Sequence, residues 1–383
     1  MNAYPTSLHD EAIGLYLHVP FCERKCRYCG FYSEPLAHHD PGPLVSALIA
    51  ELDRYAGVGS IHTIYLGGGS PTCLPLDQLT RLTEAIVSRW SVPQEFTVEC
   101  NPGQTDTHTL SMLRRYGVNR LSFGLQSFDA EELALLGRRH SVEEALRAIR
   151  QAGELGFDNI GVDLIFAIPG STPASWEHNL QSATTLDIPH ISAYSLTYEP
   201  GTALDEARRA GRLQSVDEET DRVMYEMAID YLASAGFAQY EISNFARDGF
   251  ACLHNQGYWQ NRPYIGIGPS AGSYFQGRRT LNAPNIRRYI ERVQAGEDAY
   301  EQYERPDHNE RICETAVLNL RRREGVDLAA FQRTTGADFL KVFDGPVRRY
   351  EGQDLLERGP GSVRLARKAL AMADSILCDF SAL

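Results

Sequence analysis

The chain has 383 residues and a formal net charge of −13, and this length predicts one large domain with a smaller appendage. No apolar run of about eighteen residues is present, and residues 1–14 lack the basic and apolar blocks of a signal peptide, so we expect a cytoplasmic protein without a membrane span, at most peripheral at a membrane. The chain is acidic and its arginine runs are short, so it lacks the clustered cations that bind the phosphates of nucleic acids. No nucleic-acid partner is expected.

Six β-rich runs alternate with helical segments in the first half of the chain. Leu44, Leu48 and Leu52 share a helical face after the first run, and Ser141 and Glu144 form a capping box ahead of a later helix. Such alternation predicts an α/β fold of βα units around a parallel sheet. The runs cover residues 15–19, 63–66, 95–99, 120–124, 159–167 and 191–197.

The alternation ends after about Glu199. A long helix is predicted over residues 217–234, and β-rich patches lie at 237–242 and 264–274. From Pro306 the pattern is helical, with short strands near 355–359 and 363–365 and a terminal helix over 366–380. We expect a core over residues 1–205, an extension of the barrel over 206–300, and a small, mostly helical, winged-helix-like domain over 301–383.

Three of the eight cysteines lie together directly after the first predicted strand. Cys22, Cys26 and Cys29 form a C-x3-C-x2-C run, and thiolates are soft ligands that suit iron–sulfur clusters or zinc. Three cysteines on one loop can hold three corners of a four-iron cluster and leave the fourth iron open to a small molecule. A structural zinc site normally has four ligands, so it would need His18 or a distant cysteine as well.

Polar residues follow the other predicted strands. A glycine loop begins at Gly67, and Glu99, Gln126 and Asp163 close or occupy later strands, with Arg138 a dozen residues beyond the fourth strand. Taken alone, each of these residues is explained as a structural residue whose polar groups form hydrogen bonds within the protein. Barrel enzymes place their active sites at the carboxyl ends of their strands. Together, carboxylates, an amide and a guanidinium suit a ligand with ribose hydroxyls, an adenine edge and a carboxylate.

The cysteine run after a strand resembles the signature of the radical S-adenosylmethionine (SAM) superfamily. Together with the motifs Y-x-H-x-P-F-C, G-G-G-S-P-T, E-C-N-P, G-L-Q-S-F and D-L-I-F-A-I-P-G, it resembles the branch of the oxygen-independent coproporphyrinogen III oxidases and the heme chaperones of the HemW type. The resemblance extends from about Gly14 to the end of the chain. It implies a partial (β/α)6 barrel, a [4Fe–4S] cluster on the three cysteines, and SAM at the open iron.

The resemblance also implies a set of SAM contacts, although it assigns no catalytic residue. They are Tyr16, Tyr28, Gly68, Gly69, Ser70, Glu99, Gln126, Arg138, Asp163 and, as the weakest match, Thr197.

Two features favour the heme chaperones within this branch. The oxidases carry a further cysteine where this chain has Phe31, and H-N-x-x-Y-W from His254 is similar to a chaperone motif linked to heme. A histidine can ligate heme iron, so His254 is the expected heme contact, on a loop, with Asn255 orienting its ring. Without the resemblance, a structural loop histidine is the better explanation. Gly272 stands where the family usually has His, and the C-terminal L-A-R-K-A also departs from the family's pattern.

The resemblance therefore implies a carrier that binds heme as cargo and passes it to apo-hemoproteins such as respiratory cytochromes, with a low-potential electron donor as a further partner. No coproporphyrinogen oxidase activity is expected, and productive SAM cleavage stays open. The alternatives are a radical SAM enzyme that acts on a porphyrinogen, a C-methylating or cyclopropanating tailoring enzyme, and a structural zinc protein.

Overall fold

A computed structural model describes residues 12–91 and 93–383. The expectation that residues 1–14 contain no signal peptide falls mostly outside the described residues. Among the helices that are described, none is long and apolar enough to cross a membrane.

The first half of the chain alternates strands and helices, which confirms the predicted α/β architecture. All six predicted runs are strands, each within a few residues of the expected bounds. In chain order the elements are β1 (Ile13–Val19), β2 (Phe21–Cys22), β3 (Glu34–Pro35), α1 (Pro41–Tyr55), β4 (Ile61–Gly68), α2 (Leu76–Val87), β5 (Glu95–Cys100), α3 (Thr107–Arg115), β6 (Arg120–Gln126), α4 (Ala130–Leu136), α5 (Val142–Glu154), β7 (Asn159–Phe166), α6 (Pro173–Thr184) and β8 (His190–Ser195).

The middle of the chain adds strands to both edges of this sheet. The predicted long helix is present, and the patch at 264–274 contains two strands, whereas the strands at 244–246, 278–282 and 300–304 were not predicted. The elements are α7 (Ala203–Arg209), α8 (Glu218–Ser234), β9 (Ala238–Gln239), β10 (Asn244–Ala246), α9 (Leu253–Trp259), β11 (Tyr264–Ile267), β12 (Gly272–Phe275), β13 (Arg278–Asn282), α10 (Ile286–Gln294) and β14 (Tyr300–Glu304).

The last part of the chain is mostly helical, as expected, and its two predicted strands are present. The predicted single helix over residues 366–380 is wrong: two 3-10 turns, Arg367–Met372 and Cys378–Phe380, flank one short helix. The elements are α11 (His308–Leu320), β15 (Val326–Asp327), α12 (Leu328–Thr335), α13 (Phe339–Val342), α14 (Asp344–Glu351), β16 (Leu356–Arg358), β17 (Ser362–Leu365) and α15 (Ala373–Leu377).

Twelve of the described strands form one open sheet in the order β14-β13-β12-β11-β1-β4-β5-β6-β7-β8-β10-β9. The strands from β1 through β8 in this order, together with β11, run parallel, and the outer strands run antiparallel to their neighbours. The sheet is therefore a partial barrel. One hydrophobic cluster contains residues from the sheet, its helices and the C-terminal part, so the three proposed domains share a core and their boundaries stay a prediction.

The two faces of the parallel strands differ sharply in polarity. On β1, Leu15, Leu17 and Val19 are fully buried in the hydrophobic cluster, while the alternate residues Tyr16 and His18 point to the opposite face. Paired residues on neighbouring strands share a face, and the register places a set of polar side chains on the inner one. They are Tyr16, His18, Thr63, Tyr65, Glu95, Thr97, Glu99, Arg120, Ser122, Asp163, His190 and Ser192.

Candidate functional site

The three clustered cysteines lie on one loop at the carboxyl end of β1, and all three are half-buried and free of disulfides. The loop is held by its backbone: the Arg27 N–H donates to the Leu136 carbonyl (3.0 Å), and the Arg27 carbonyl accepts from the Leu204 N–H (2.9 Å). The loop conformation is thus set by its contacts with α4 and α7.

The glycine loop after β4 packs directly on the cysteine loop. The Gly69 N–H donates to the Val19 carbonyl (2.9 Å), and the Ser70 N–H donates to the Phe21 carbonyl (2.7 Å). A Cβ at Gly69 would lie 2.4 Å from the Phe21 carbonyl oxygen and 3.0 Å from the Cys22 sulfur. Only glycine permits this approach, so the glycine loop and the cysteine loop are packed directly against each other.

The three cysteines suit a four-iron cluster better than a single metal ion. Each thiolate of such a cluster binds a different iron, so the three sulfurs need not converge on one point. Among residues 12–91 and 93–383, no three His, Cys, Asp or Glu side chains converge closely enough to hold one ion.

Glu99 and Asp163 lie on the inner face at the mouth of the barrel. Glu99 accepts hydrogen bonds from the Tyr65 hydroxyl (2.9 Å) and the Gly68 N–H (3.0 Å). Burial, with the nearby Asp163 adding to it, raises the pKa of Glu99 to about 7. Burial also raises the pKa of Asp163, whose oxygen accepts from the Ser122 hydroxyl at 3.5 Å. Two carboxyls with raised pKa values at an open mouth suit a cationic ligand.

Arg138 connects this mouth to the cysteine loop. Its guanidinium donates to the Cys26 sulfur (3.5 Å), to the Asn101 side-chain oxygen (3.3 Å) and to the Gly124 carbonyl (2.5 Å). Its buried Nε has no hydrogen-bond partner among the described residues, which leaves a donor for a ligand. Gln126, at the end of β6, is buried with a positive φ of 75°, an uncommon conformation for a side-chain-bearing residue.

The remaining predicted SAM contacts lie in several different surroundings. Tyr28 packs beside the small apolar cluster around Leu136 and Ile165, while the Ser70 hydroxyl donates to the Gln104 side-chain oxygen (2.9 Å). The Tyr16 hydroxyl is hydrogen-bonded to a ring nitrogen of His18 (2.9 Å). Thr197 is exposed and lies two residues beyond the end of β8, so it does not close that strand as expected.

Sequence reasoning missed Tyr65 and Asn101, which hold Glu99 and Arg138 in place. The signal for Tyr65 was available, because it lies two residues before Gly67 and therefore faces the same side of β4. Asn101 follows β5 directly, within the E-C-N-P motif, and only the fold shows that it contacts Arg138.

His254 lies far from the position expected for it. It is in helix α9 rather than on a loop, and it is buried, with 3% of its surface exposed. One ring nitrogen is hydrogen-bonded to Thr63 (2.8 Å) and the other to Tyr258 (2.9 Å). These two residues, not Asn255, orient the ring. Burial, with Arg120 adding to it, lowers the pKa of His254 to about 3, so the ring is neutral.

Helix α9 closes the amino end of the barrel, opposite the cysteine loop. Glu95, the first residue of β5, accepts from the N–H groups of Leu253 (2.9 Å) and His254 (3.0 Å) and from the Cys252 thiol (3.3 Å). The crevice beside His254 has a volume of about 10 Å³, enough for about one water molecule.

Gly272, which replaces a histidine of the family pattern, lies in β12, in the added part of the sheet. A Cβ there would meet only the Thr280 carbonyl, at 3.8 Å. A Cβ would therefore fit, so contact at this atom does not require glycine.

The sequence matches two family models and several characterised proteins. Residues 16–183 match the radical SAM superfamily, and residues 307–372 match the HemN C-terminal domain. The heme chaperone HemW of Bacillus subtilis is 33% identical over 372 residues, which cover 95% of this chain and 98% of that protein. The mitochondrial radical S-adenosyl methionine domain-containing protein 1 of Danio rerio is 31% identical over 389 residues, covering 96% and 87%.

A solved structure shows the same fold. The coproporphyrinogen III oxidase HemN of Escherichia coli, a radical SAM enzyme, superimposes with a TM-score of 0.84 at 21% identity, covering 97% of this chain and 90% of that one.

Proposed function

Because the chain belongs to the radical SAM superfamily, in the HemN-like branch that includes the HemW proteins, we propose that it binds heme and delivers it to apo-hemoproteins such as respiratory cytochromes. The observation that carries the proposal is the extent of the similarity to the Bacillus subtilis heme chaperone, which spans 95% of this chain and 98% of that protein. Phe31, in place of the further cysteine of the oxidases, supports the same assignment.

The superfamily implies a [4Fe–4S] cluster and SAM, and the residues at the barrel mouth fit both. Cys22, Cys26 and Cys29 would hold the cluster, and the glycine loop with Glu99 and Asp163 would hold SAM. When bound, this pair supplies one-electron reductive cleavage of SAM. Glu99 contributes a carboxylate that is fixed by two donors and faces the mouth, while Arg138 offers its unpartnered Nε–H.

A radical SAM enzyme is the second candidate, either acting on a porphyrinogen or a C-methylating or cyclopropanating enzyme. The favouring observation is the full polar set at the mouth, with Glu99, Asp163 and Arg138 all in place, which a passive heme carrier does not require. The two functions separate experimentally, since only the enzyme consumes SAM in proportion to a modified substrate.

Heme ligation by His254 requires a conformational change. Both ring nitrogens are hydrogen-bonded and the crevice beside the ring is far too small for a porphyrin. In our proposal α9 moves away from the amino end of the barrel, breaking the bonds to Thr63 and Glu95, and the neutral imidazole then meets the iron.

Anaerobic heme titration tests the proposal. We expect saturable, stoichiometric binding with a Soret band, and His254→Ala should lower the affinity at least about tenfold, as loss of an axial ligand would. His62→Ala, beside the same crevice, is the matched control and should bind like the wild type. Absence of saturable heme binding by the wild type would contradict the chaperone function, and SAM turnover with a porphyrinogen would then support the second candidate.

A further inference from the structure

The loop that carries the three cysteines is positively charged at its surface, in a chain whose net charge is −13. Arg24, Lys25 and Arg27 are all exposed between Cys22 and Cys29. The surface that covers the proposed cluster therefore has the opposite sign to the protein as a whole.

These cations have no carboxylate partners among residues 12–91 and 93–383. None of the three forms an ion pair there, and the one acidic residue of the loop, Glu23, is paired with Arg139 at 2.6 Å. Of the other nearby carboxylates, Glu34 is bonded to Tyr32 and His39, and Glu199 packs beside Gly30. The three charges are thus available to a partner.

The surface is held in shape before any partner binds. The backbone of Arg27 is fixed at both its N–H and its carbonyl, to Leu136 and Leu204. The Arg27 side chain passes so close to Gly137 that a Cβ there would lie 2.8 Å from its Cγ. Beside these cations, the Phe31 side chain is 70% exposed. A fixed surface loses little conformational freedom on binding.

We propose that Arg24, Lys25, Arg27 and Phe31, together called the cysteine-loop surface, dock an acidic electron-transfer protein that reduces the cluster. The inference rests on the proposed cluster at Cys22, Cys26 and Cys29. One electron passes from the reduced donor to the cluster, and no atom or proton is transferred. Electron-transfer complexes are small and transient, and they rely on charge complementarity for rapid association. A cationic patch around one exposed aromatic ring has these properties.

Stopped-flow reduction of the reconstituted protein by a reduced, acidic flavodoxin tests the docking surface. The double variant Arg24→Glu/Lys25→Glu should be reduced about tenfold or more slowly than the wild type at low ionic strength, because steering of this kind changes association rates by about 10- to 1,000-fold. The difference should shrink at high salt, where exposed charges are screened within a few ångströms. Dithionite needs no docking surface, and at high salt, where the charges of the loop no longer attract this small anion, it should reduce both proteins at the same rate.

The control variant Lys341→Glu/Arg348→Glu has the same change in net charge on the C-terminal part, where both side chains are largely exposed. It should be reduced at the wild-type rate by flavodoxin. Phe31→Ser should slow reduction at all salt concentrations, because it removes an apolar contact.

Iron and sulfide content, measured first, separates the two ways in which the experiment can fail. If the wild type holds no cluster, the proposed cluster site fails, and the docking surface that rests on it fails as well. If all variants hold the cluster, react equally with dithionite and are reduced by flavodoxin at equal rates, the function stands and the docking surface is overturned. A rate in the double variant that equals the rate of the Lys341/Arg348 control also overturns it.

Discussion

At the scale of single residues, Gly69 decides how closely the glycine loop approaches the cysteine loop. We predict that Gly69→Ala lowers the iron and sulfide content of the reconstituted protein, because the added Cβ would lie 2.4 Å from the Phe21 carbonyl oxygen and one of the two loops must move. Gly57→Ala is the control, since a Cβ there meets nothing within 4 Å. Full cluster content in Gly69→Ala would show that the loop tolerates the displacement.

Glu99 should make SAM binding depend on pH. Its pKa of about 7 means that the carboxylate, the form that attracts a cation, is largely protonated at pH 6 and largely ionised at pH 8. We expect the affinity for SAM to rise about tenfold between these values, measured by calorimetry under anaerobic conditions. Glu99→Gln should bind weakly at both. If Glu99→Gln keeps the wild-type pH dependence, a group other than Glu99 controls binding.

The positions of Glu99, Gln126 and Asp163 in the fold could be predicted from the sequence, whereas the position of His254 could not. Glu99, Gln126 and Asp163 are on or near the carboxyl ends of recognisable strands, and parallel strands bring those ends together whatever the details of packing. Nothing in the H-N-x-x-Y-W segment indicates its depth or its position. Both depend on contacts with Thr63 and Glu95, which lie more than a hundred residues earlier in the chain.

At the scale of elements, the Glu95 carboxylate accepts hydrogen bonds from the first turn of α9. Glu95→Ala removes the acceptor for Leu253 and His254 and one of the carboxylates that lie near the buried Arg120. We predict a loss of about 3 kcal/mol in unfolding free energy and faster hydrogen–deuterium exchange over residues 253–259. Asp106→Ala, which removes the cap of α3, should cost about 1 kcal/mol without changing exchange in α9. Unchanged exchange in Glu95→Ala would show that α9 is held by other contacts.

Glu51 connects α1 to α10 and to the turn after β11. It accepts from the Gly268 N–H (2.8 Å), the Asn282 amide (3.0 Å) and the Tyr289 hydroxyl (2.5 Å), and burial raises its pKa from 4.5 to about 7. The folded state therefore holds this proton more tightly than the unfolded state. Its contribution to stability is fully present below pH 4.5 and is lost as the pH rises through 7.

We predict that the unfolding free energy from urea titrations falls by up to about 3 kcal/mol between pH 5 and pH 8 through this one group. Glu51→Gln cannot ionise and should lose this part of the pH dependence, although its overall stability should be lower because one acceptor becomes a donor. The exposed Glu177→Gln should keep the wild-type profile. A Glu51→Gln profile parallel to that of the wild type would contradict the assignment.

The central strands and their helices could be predicted because local periodicity encodes them, and two β-rich patches covered the added strands β9, β11 and β12, but β10, β13 and β14 could not be predicted. β10 and β14 are short and contain polar residues, so their sequences do not indicate strands. They form strands because they pair with a strand at the edge of the sheet. β14 is mostly exposed, and its sequence Y-E-Q-Y-E has no alternation of apolar and polar residues to indicate a strand. The broken terminal helix was missed for a similar reason, since tertiary packing around Phe380 overrides local helix propensity.

At the scale of the whole molecule, the C-terminal part supports α9 from outside the barrel. The Asn319 amide of α11 donates to the Trp259 carbonyl (2.9 Å), and Asn261 donates to Thr315 (3.0 Å). Helix α9 is thus held between the barrel and α11. If heme binds only after α9 moves, this contact opposes heme binding, because a ligand binds more tightly when its competent state is more populated.

We therefore predict that Asn319→Ala raises the apparent heme affinity by a factor of about five, corresponding to the loss of about 1 kcal/mol of support for α9. Absorbance titration at the Soret band measures it. Phe331→Leu, which loosens the C-terminal core away from α9, should leave the affinity unchanged. An Asn319→Ala affinity equal to that of the wild type would mean that heme binds without displacing the helix, and hence not through His254.

While α9 stays bonded to Glu95, it covers the amino end of the barrel, and a small molecule beside Glu99 exchanges with solvent at the opposite, carboxyl end. A larger partner bound over the carboxyl end would block this exchange. The order of binding is then fixed, with the small molecule first and the larger partner second. The small molecule should also dissociate more slowly while the larger partner is bound, so that the dissociation of the larger partner sets the rate of the whole cycle.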